Sequence, residues 1–226
     1  MGVRIICVVI GYLFGLFQTG YFYGKAHGVD IRQHGSGNAG TTNALRTLGK
    51  KAGAVTLLGD AFKCVVAVVV TWLLFHNSQA DIMPLLNLYT GAGVVLGHNY
   101  PFYLKFKGGK GIAATGGLIV AFNLPMAGIG LVTFALGYGI TKYVSVGSLL
   151  VVTGFLMELI VFGQMGWFGM SEAHRIELYI VGAFLTLLAV WRHRENIKRL
   201  IHGTENKTYL SKKNESTKDQ SAGSIK

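Results

Sequence analysis

The sequence predicts an all-α polytopic membrane protein. Three observations carry this expectation: a strongly apolar composition, a series of apolar runs long enough to cross a bilayer, and basic residues confined to alternate connections. Of the 226 residues, 51% are hydrophobic and 14% charged, against roughly 25% charge in soluble domains. Mean hydropathy is +0.44 in a chain of 24.4 kDa. A globule of that size cannot hide so much apolar surface from water, so a bilayer is the expected solvent. The 32 glycines agree with this, because small residues let membrane helices approach closely. The apolar run after Arg4 continues past Gly20 with no small-residue cleavage site, so a cleavable signal is not expected.

The runs fall at about 3–24, 53–75, 84–104, 146–168 and 175–192. Two shorter runs, at about 111–124 and 126–142, are joined at Asn123-Leu124-Pro125. Spanning takes about 20 apolar residues and at least about 17, which makes 111–124 a short helix or a re-entrant segment. Counting both short runs gives about seven transmembrane helices. The 76–83 connection and Asn123-Leu124-Pro125 carry no Lys or Arg, and 169–174 carries Glu172 with Arg175 just after it. By contrast, 25–52 holds Lys25, Arg32, Arg46, Lys50 and Lys51, and 105–110 holds Lys105, Lys107 and Lys110. Lys142 marks a third basic turn, and the chain from Arg192 onward is basic throughout. The positive-inside rule then places the N-terminus outside and the C-terminus in the cytoplasm. The net charge of +11 reports this orientation and contact with anionic headgroups, and no nucleic-acid partner is expected. Residues 1–207 form a single integral-membrane domain on this reading. Residues 208–226 are polar, without apolar period, and read as a disordered cytoplasmic tail.

Two charges stand inside the second span. Asp60 and Lys63 each cost about 2.5–3.5 kcal/mol at a helix centre, and at i, i+3 they are placed to pair. Glu158, near the middle of its span, is expected to be a neutral acid hydrogen-bonded to a neighbouring helix. Cys7 and Cys64 lie in apolar segments and read as buried reduced thiols. No His-x-x-x-His, Cys-His or carboxylate cluster appears, so neither a metal nor another cofactor is expected.

The basic loops hold the candidate chemistry. Gly35-Ser36-Gly37-Asn38-Ala39-Gly40-Thr41-Thr42-Asn43, followed by Arg46, is rich in glycine and small hydrogen-bonding side chains. Such a segment is a flexible polar loop or an anion-binding nest, and its length and chemistry favour the second. Phe106-Lys107-Gly108-Gly109-Lys110-Gly111 precedes an apolar run. Unpaired N–H groups, a helix dipole and a Lys there are the parts of a phosphate cradle, while the alternative is a positive flank with helix-breaking glycines. The Walker spacing is absent, so ATP hydrolysis is not implied. In 191–207, His193 and Asn196 share a face if the segment is helical. Ile197, Leu200 and Ile201 then make an interfacial stripe, and Gly203 is a stop.

Taken in order, three strings resemble the acyl-phosphate-dependent glycerol-3-phosphate acyltransferases of bacteria: Ser36 to Gly53, Gly97 to Gly111, and Arg192 to Leu200 with Gly203-x-Glu205-x-Lys207. The resemblance runs from the first span to Lys207. Two positions depart from it: Cys64 stands where Asp-x-x-Lys is usually followed by Gly, and Ala113-Ala114-Thr115 replaces an expected Ala-Thr. The resemblance implies transfer of an acyl group from acyl phosphate to the 1-hydroxyl of sn-glycerol 3-phosphate, giving 1-acyl-glycerol 3-phosphate and phosphate. That is the first acylation of phospholipid synthesis, at the cytoplasmic face of the bacterial cell membrane. An acyl phosphate donor also implies coupling to an enzyme that makes it. The donor is already a mixed anhydride, so positioning and electrostatics can supply most of the rate without a covalent intermediate. The motif matches assign catalysis to Ser36, His193 and Asn196. Substrate and phosphate binding fall to Asn38, Thr41, Asn43, Arg46, Lys107, Gly108, Gly109, Lys110 and Gly111. Asp60, Lys63 and Glu205 are assigned structural roles. The proton acceptor is His193 or a phosphate oxygen of a substrate. The alternative function is a transporter or channel for a phosphorylated solute, for which Asp60, Lys63, Glu158 and Glu177 are the sparse polar lining.

Overall fold

The computed structural model describes residues 1–208 and is all-helical, with no strand among the described residues. The elements are α1 (Gly2–Gly15), α2 (Thr19–Ala26), α3 (Thr41–Leu48), α4 (Lys50–Phe75), α5 (Met83–Asn99), α6 (Ile112–Phe122), α7 (Leu124–Thr141), α8 (Val144–Gln164), α9 (Glu172–Arg192) and α10 (Arg194–Ile201). Six stretches among the described residues are long and apolar enough to cross a membrane, with α6 as a further short apolar helix. The polar tail expected at 208–226 lies outside the described residues from position 209 on.

α1 and α5 form the central pair. Gly11 and Gly15 face Gly93 and Gly97, so each helix carries two small residues four apart on the contact side. A Cβ at Gly11 would overlap the Thr90 carbonyl, and one at Gly93 would overlap that of Val8. The two backbones therefore touch, which is how membrane helices gain packing where apolar burial offers no advantage over lipid. The core beside this seam is filled by Leu85, Leu86, Leu88, Leu118, Met126, Leu159 and Leu178. Cys7 and Cys64 are both buried and free. Cys64, where the family pattern has glycine, is completely enclosed.

The first span is not one helix, as the apolar run at 3–24 suggested. It breaks over Leu16, Phe17 and Gln18. The break leaves backbone groups unpaired at two helix ends, and the polar pair of α4 fills them. Lys63 Nζ donates to the carbonyls of Gly15 at 3.3 Å and Phe17 at 2.6 Å. Asp60 Oδ1 accepts from the Thr19 hydroxyl at 3.0 Å and the Thr19 N–H at 3.4 Å. The cation thus caps the C-terminal end of α1 and the anion the N-terminal end of α2, each matching the helix dipole. The two also pair with each other at 3.0 Å. Irregular backbone at this depth is tolerated because protein groups satisfy it. At the opposite end of the bundle, Arg4 makes a bidentate pair with Glu177 at 2.6 and 2.7 Å, and Tyr89 donates to the same carboxylate. Glu158 departs from expectation: its Oε2 is buried and finds no partner among the described residues.

Candidate active site

Four segments converge at one end of the bundle: the 27–40 loop with α3, the glycine loop 105–111, the junction of α9 and α10, and the strap 204–208. The first loop is shaped from within by Asn43. Its Nδ2 donates to Ile31 O at 2.7 Å and His34 O at 3.0 Å, and its Oδ1 accepts from Ser36 N–H at 2.9 Å. Asn43 is 1% exposed. Its amide is engaged by backbone, where it shapes the loop that presents Ser36. Asn38 Oδ1 accepts from Gly40 N–H at 2.9 Å in a local turn. Thr41 Oγ1 is buried without a partner among the described residues. Asp30 makes a double contact with Arg32 at 2.7 and 3.0 Å, and that guanidinium holds the carboxyl down to about 2.

The exposed Ser36 faces a cavity of about 410 Å³ that it shares with Asn38, Lys107, Gly108 and Arg192, the Asp30–Arg32 pair closing one side. Arg192 and the Asp30–Arg32 pair were not among the sequence candidates. Their signal was only a charge in a basic loop, which does not distinguish a site from a flank.

The glycine loop is built differently from the nest that its composition suggested. The Gly108 N–H donates to Asn99 O and the Gly109 N–H to His98 O, both at 3.1 Å. Those amides are therefore bonded to the end of α5 rather than free as the glycine-rich composition suggested. Their carbonyls are held from the other side by Arg192, whose NH2 donates to Gly108 O at 3.0 Å and Gly109 O at 2.7 Å. Gly111 is the N-cap of α6 with φ +80°, a conformation that favours glycine. The free N–H groups lie past it, in the first turn of α6.

Lys110 extends from this clamped loop and donates to Asn196 Oδ1. Asn196 Nδ2 donates in turn to Glu205 Oε1 at 2.7 Å. Glu205 also accepts from Arg199 at 2.7 Å and from Ser145 at 3.1 Å. Burial alone would raise the Glu205 carboxyl, but these donors hold it below the usual carboxylate range. Burial pushes Lys110 down to about 8; Glu205 opposes the shift, while Arg199, Arg192 and Arg46 add to it. Arg46 donates to Asn206 O at 3.1 Å and to Thr208 Oγ1 at 2.7 Å, fastening the strap across α3.

His193 and Asn196 do not share one continuous helix. The chain turns at His193 (φ −96°, ψ 4°), which ends α9 and begins α10, and Gly203 with φ +69° follows the end of α10. His193 Nδ1 donates to Ala189 O at 2.8 Å, so Nε2 is the unprotonated nitrogen. Burial, then Lys110, pushes His193 down to about 4. No group of three or more metal-ligating side chains occurs among the described residues. Of the polar groups inside the bundle, Asp60 Oδ1 is engaged by Lys63 and Thr19 and Glu177 by Arg4 and Tyr89, while Asp60 Oδ2 and Glu158 Oε2 find no partner among the described residues.

A family model described as glycerol-3-phosphate acyltransferase matches residues 5–203. The glycerol-3-phosphate acyltransferase of Clostridioides difficile (strain 630) is 45% identical over 205 residues, covering 90% of this chain and 94% of the relative. That of Bacillus subtilis (strain 168) is 41% identical over 204 residues, covering 89% and 96%. The crystal structure of PlsY (YgiH), an integral membrane glycerol 3-phosphate acyltransferase in its glycerol 3-phosphate form, matches with a TM-score of 0.78 at 30% identity, over 91% of this chain and 96% of that one. Its lysophosphatidic acid form matches with a TM-score of 0.76. With the matched region running through the 27–40 loop, the glycine loop and the junction of α9 and α10, this chain belongs to the glycerol-3-phosphate acyltransferase family and is an integral membrane protein.

Proposed function

We propose that this protein transfers an acyl group from an acyl phosphate to the 1-hydroxyl of sn-glycerol 3-phosphate, at the cytoplasmic face of a bacterial cell membrane. The observation that carries the reading is the basic surface on both sides of one clamped loop. Lys107 and Arg192 stand with Ser36 and Asn38 on one side, and Lys110 reaches Asn196 on the other. Two substrates that each bear a phosphate require two anion sites, and this arrangement offers two. An open apolar groove on the helix surface, lined by Leu13, Phe14, Phe17, Phe62, Lys63 and Val66, gives a place for an acyl tail.

In the proposed reaction the glycerol hydroxyl oxygen forms a bond to the acyl carbon, the acyl–oxygen bond of the mixed anhydride breaks, and inorganic phosphate leaves. Lys107 and Arg192 stabilise the departing phosphate, and Lys110 holds the phosphate of glycerol 3-phosphate. Ser36, Asn38, Thr41 and Arg46 orient the substrates, and Gly111 starts the helix whose free N–H groups face anions. His193, neutral with Nε2 free, accepts a hydrogen bond from the hydroxyl and orients it. A group near 4 is a weak base at neutral pH, so a phosphate oxygen takes the proton. Asn196 and Glu205 hold Lys110 in place.

The test is phosphate release from acyl phosphate and glycerol 3-phosphate by the purified protein, with acyl-CoA and acyl-carrier protein each tried alone. Product from acyl phosphate only is expected; efficient transfer from acyl-CoA rejects the donor. Reporters at Ser78 and after Lys207 are expected on opposite faces, with Lys207 cytoplasmic, from the Lys/Arg asymmetry.

A further inference from the structure

Beneath the glycine loop lies a buried imidazole that the proposed chemistry does not use. His98, in the last turn of α5, is 3% exposed. Lys63 Nζ donates to its Nδ1 at 2.9 Å, so Nε2 carries the proton. Lys63 is itself fixed by Asp60, Gly15 O and Phe17 O, which sets the plane of the ring. The Nε2 edge points at Gly109: a Cβ there would overlap Nε2, with ring carbons at 2.9 and 3.0 Å. The His98 carbonyl also accepts the Gly109 N–H at 3.1 Å and Gln18 Nε2 at 3.0 Å. Arg192 holds the loop from the opposite side through the carbonyls of Gly108 and Gly109. The next residue in the chain is Lys110.

We propose that His98 is a positioning residue: wedged between Lys63 and Gly109, its ring fixes the height of the glycine loop and thereby where Lys110 meets phosphate. The inference rests on the phosphate-binding reading of Lys110 given above. Lys110 has a long stem, so its ammonium is only as well placed as the backbone it leaves. An error of about 1 Å at such a contact costs about 100-fold in rate. Through Lys63 the same ring ties the broken first span to the loop, so the height of the loop is set by the bilayer-embedded part of the molecule.

A double-mutant cycle tests this. His98→Asn keeps an acceptor for Lys63 but has no atom at the Nε2 position, leaving room for a Cβ at residue 109. Gly109→Ala is expected to lose about 100-fold in kcat/KM for glycerol 3-phosphate in the wild-type background and less than about threefold in His98→Asn. Gly108→Ala is the control. Its Cβ would meet the His98 and Asn99 carbonyls and Pro101, not the ring, so its loss is expected to be the same in both backgrounds. His98→Asn alone is expected to raise KM for glycerol 3-phosphate while the KM for the acyl donor stays within about twofold; a merely structural role would instead reduce kcat with both KM values unchanged. Equal costs of Gly109→Ala in the two backgrounds, or relief of Gly108→Ala as well, would overturn the proposal. Should His98→Asn not fold, His98→Ser carries the same cycle. Calorimetric binding of glycerol 3-phosphate to the same variants needs no donor. An inert wild type therefore rejects the acyl-phosphate reading, whereas an additive cycle in Kd rejects the role of His98.

Discussion

The seam between α1 and α5 and the loop at 108–111 both set glycine where a Cβ would collide, and they differ in what it would collide with. At the seam the neighbours of Gly11, Gly15, Gly93 and Gly97 are backbone atoms of the facing helix. At Gly109 the neighbour is the side chain of His98. Backbone of a packed helix cannot move without moving the helix, whereas a side chain can turn away at the cost of the contacts it leaves. One residue type therefore guards stability in the membrane interior and geometry at the site. Gly108 stands between the cases, because it rests on the carbonyls at the end of α5.

The largest effect expected from this contrast is on stability. Gly93→Ala forces a Cβ into Val8 O and Tyr12 N. At about 3 kcal/mol it should lower Tm by roughly 10 °C, while Gly109→Ala leaves Tm within about 2 °C of wild type. Thermal unfolding in matched detergent reads both, and the reverse order would abolish the distinction.

Lys110→Ala comes next. It removes a charge-assisted contact of about 1.5–3 kcal/mol, so kcat/KM should fall by about one to two decades with Tm little changed. Steady-state kinetics on monodisperse protein decides it. A smaller effect moves with pH. Lys110 is held near 8, so its charge, and kcat/KM with it, is full below that value and declines above it. Stability moves the other way. The unfolded chain binds the proton up to the ordinary lysine range, so between about 8 and 10 it holds more protons than the folded one, and this group's contribution rises with pH. Opposite slopes for activity and Tm in wild type, both absent in Lys110→Met, are the expected result. Smallest of all is Lys105→Ala. Lys105 is exposed, forms no ion pair among the described residues, and sits at φ 54° outside the glycine string. Its kcat/KM should stay within about twofold of wild type; a loss as large as that of Lys110→Ala would mean the site extends outward and the loop is not the frame of Lys110.

The spanning helices were legible because each rests on a long apolar run, and a bilayer demands little else of a span. The break at Leu16–Gln18 was not, although Gln18 inside an apolar run and Asp60 with Lys63 in another helix were its visible parts. Only tertiary contact shows that the two are one feature. The pairing of Asp60 and Lys63 followed from their spacing alone. Lys110 and Asn196 were both visible as candidates, yet nothing in the sequence joined them. The glycine loop shows the limit most clearly. Glycine reads as exposed backbone, but here the Gly108 and Gly109 amides bond the end of α5, whose position in space no local pattern records. Asn43 likewise read only as a polar candidate, and its bonds to carbonyls of its own loop left no local mark.

The ion pair in the broken first span has a consequence for how the chain is made. A ribosome delivers residues 1–26 before α4 exists. At that stage nothing is present to cap the carbonyls of Gly15 and Phe17, and lipid favours a helix that satisfies its own backbone. The early segment therefore inserts as a continuous rod. When α4 enters, its two charges are costly to lipid until they find partners, and the partners they find are the carbonyls and the Thr19 groups that a bend exposes. Each segment removes the other's cost. Bending of the first helix is thereby timed to the arrival of α4, before the site loops that follow α5 and α9 have been made.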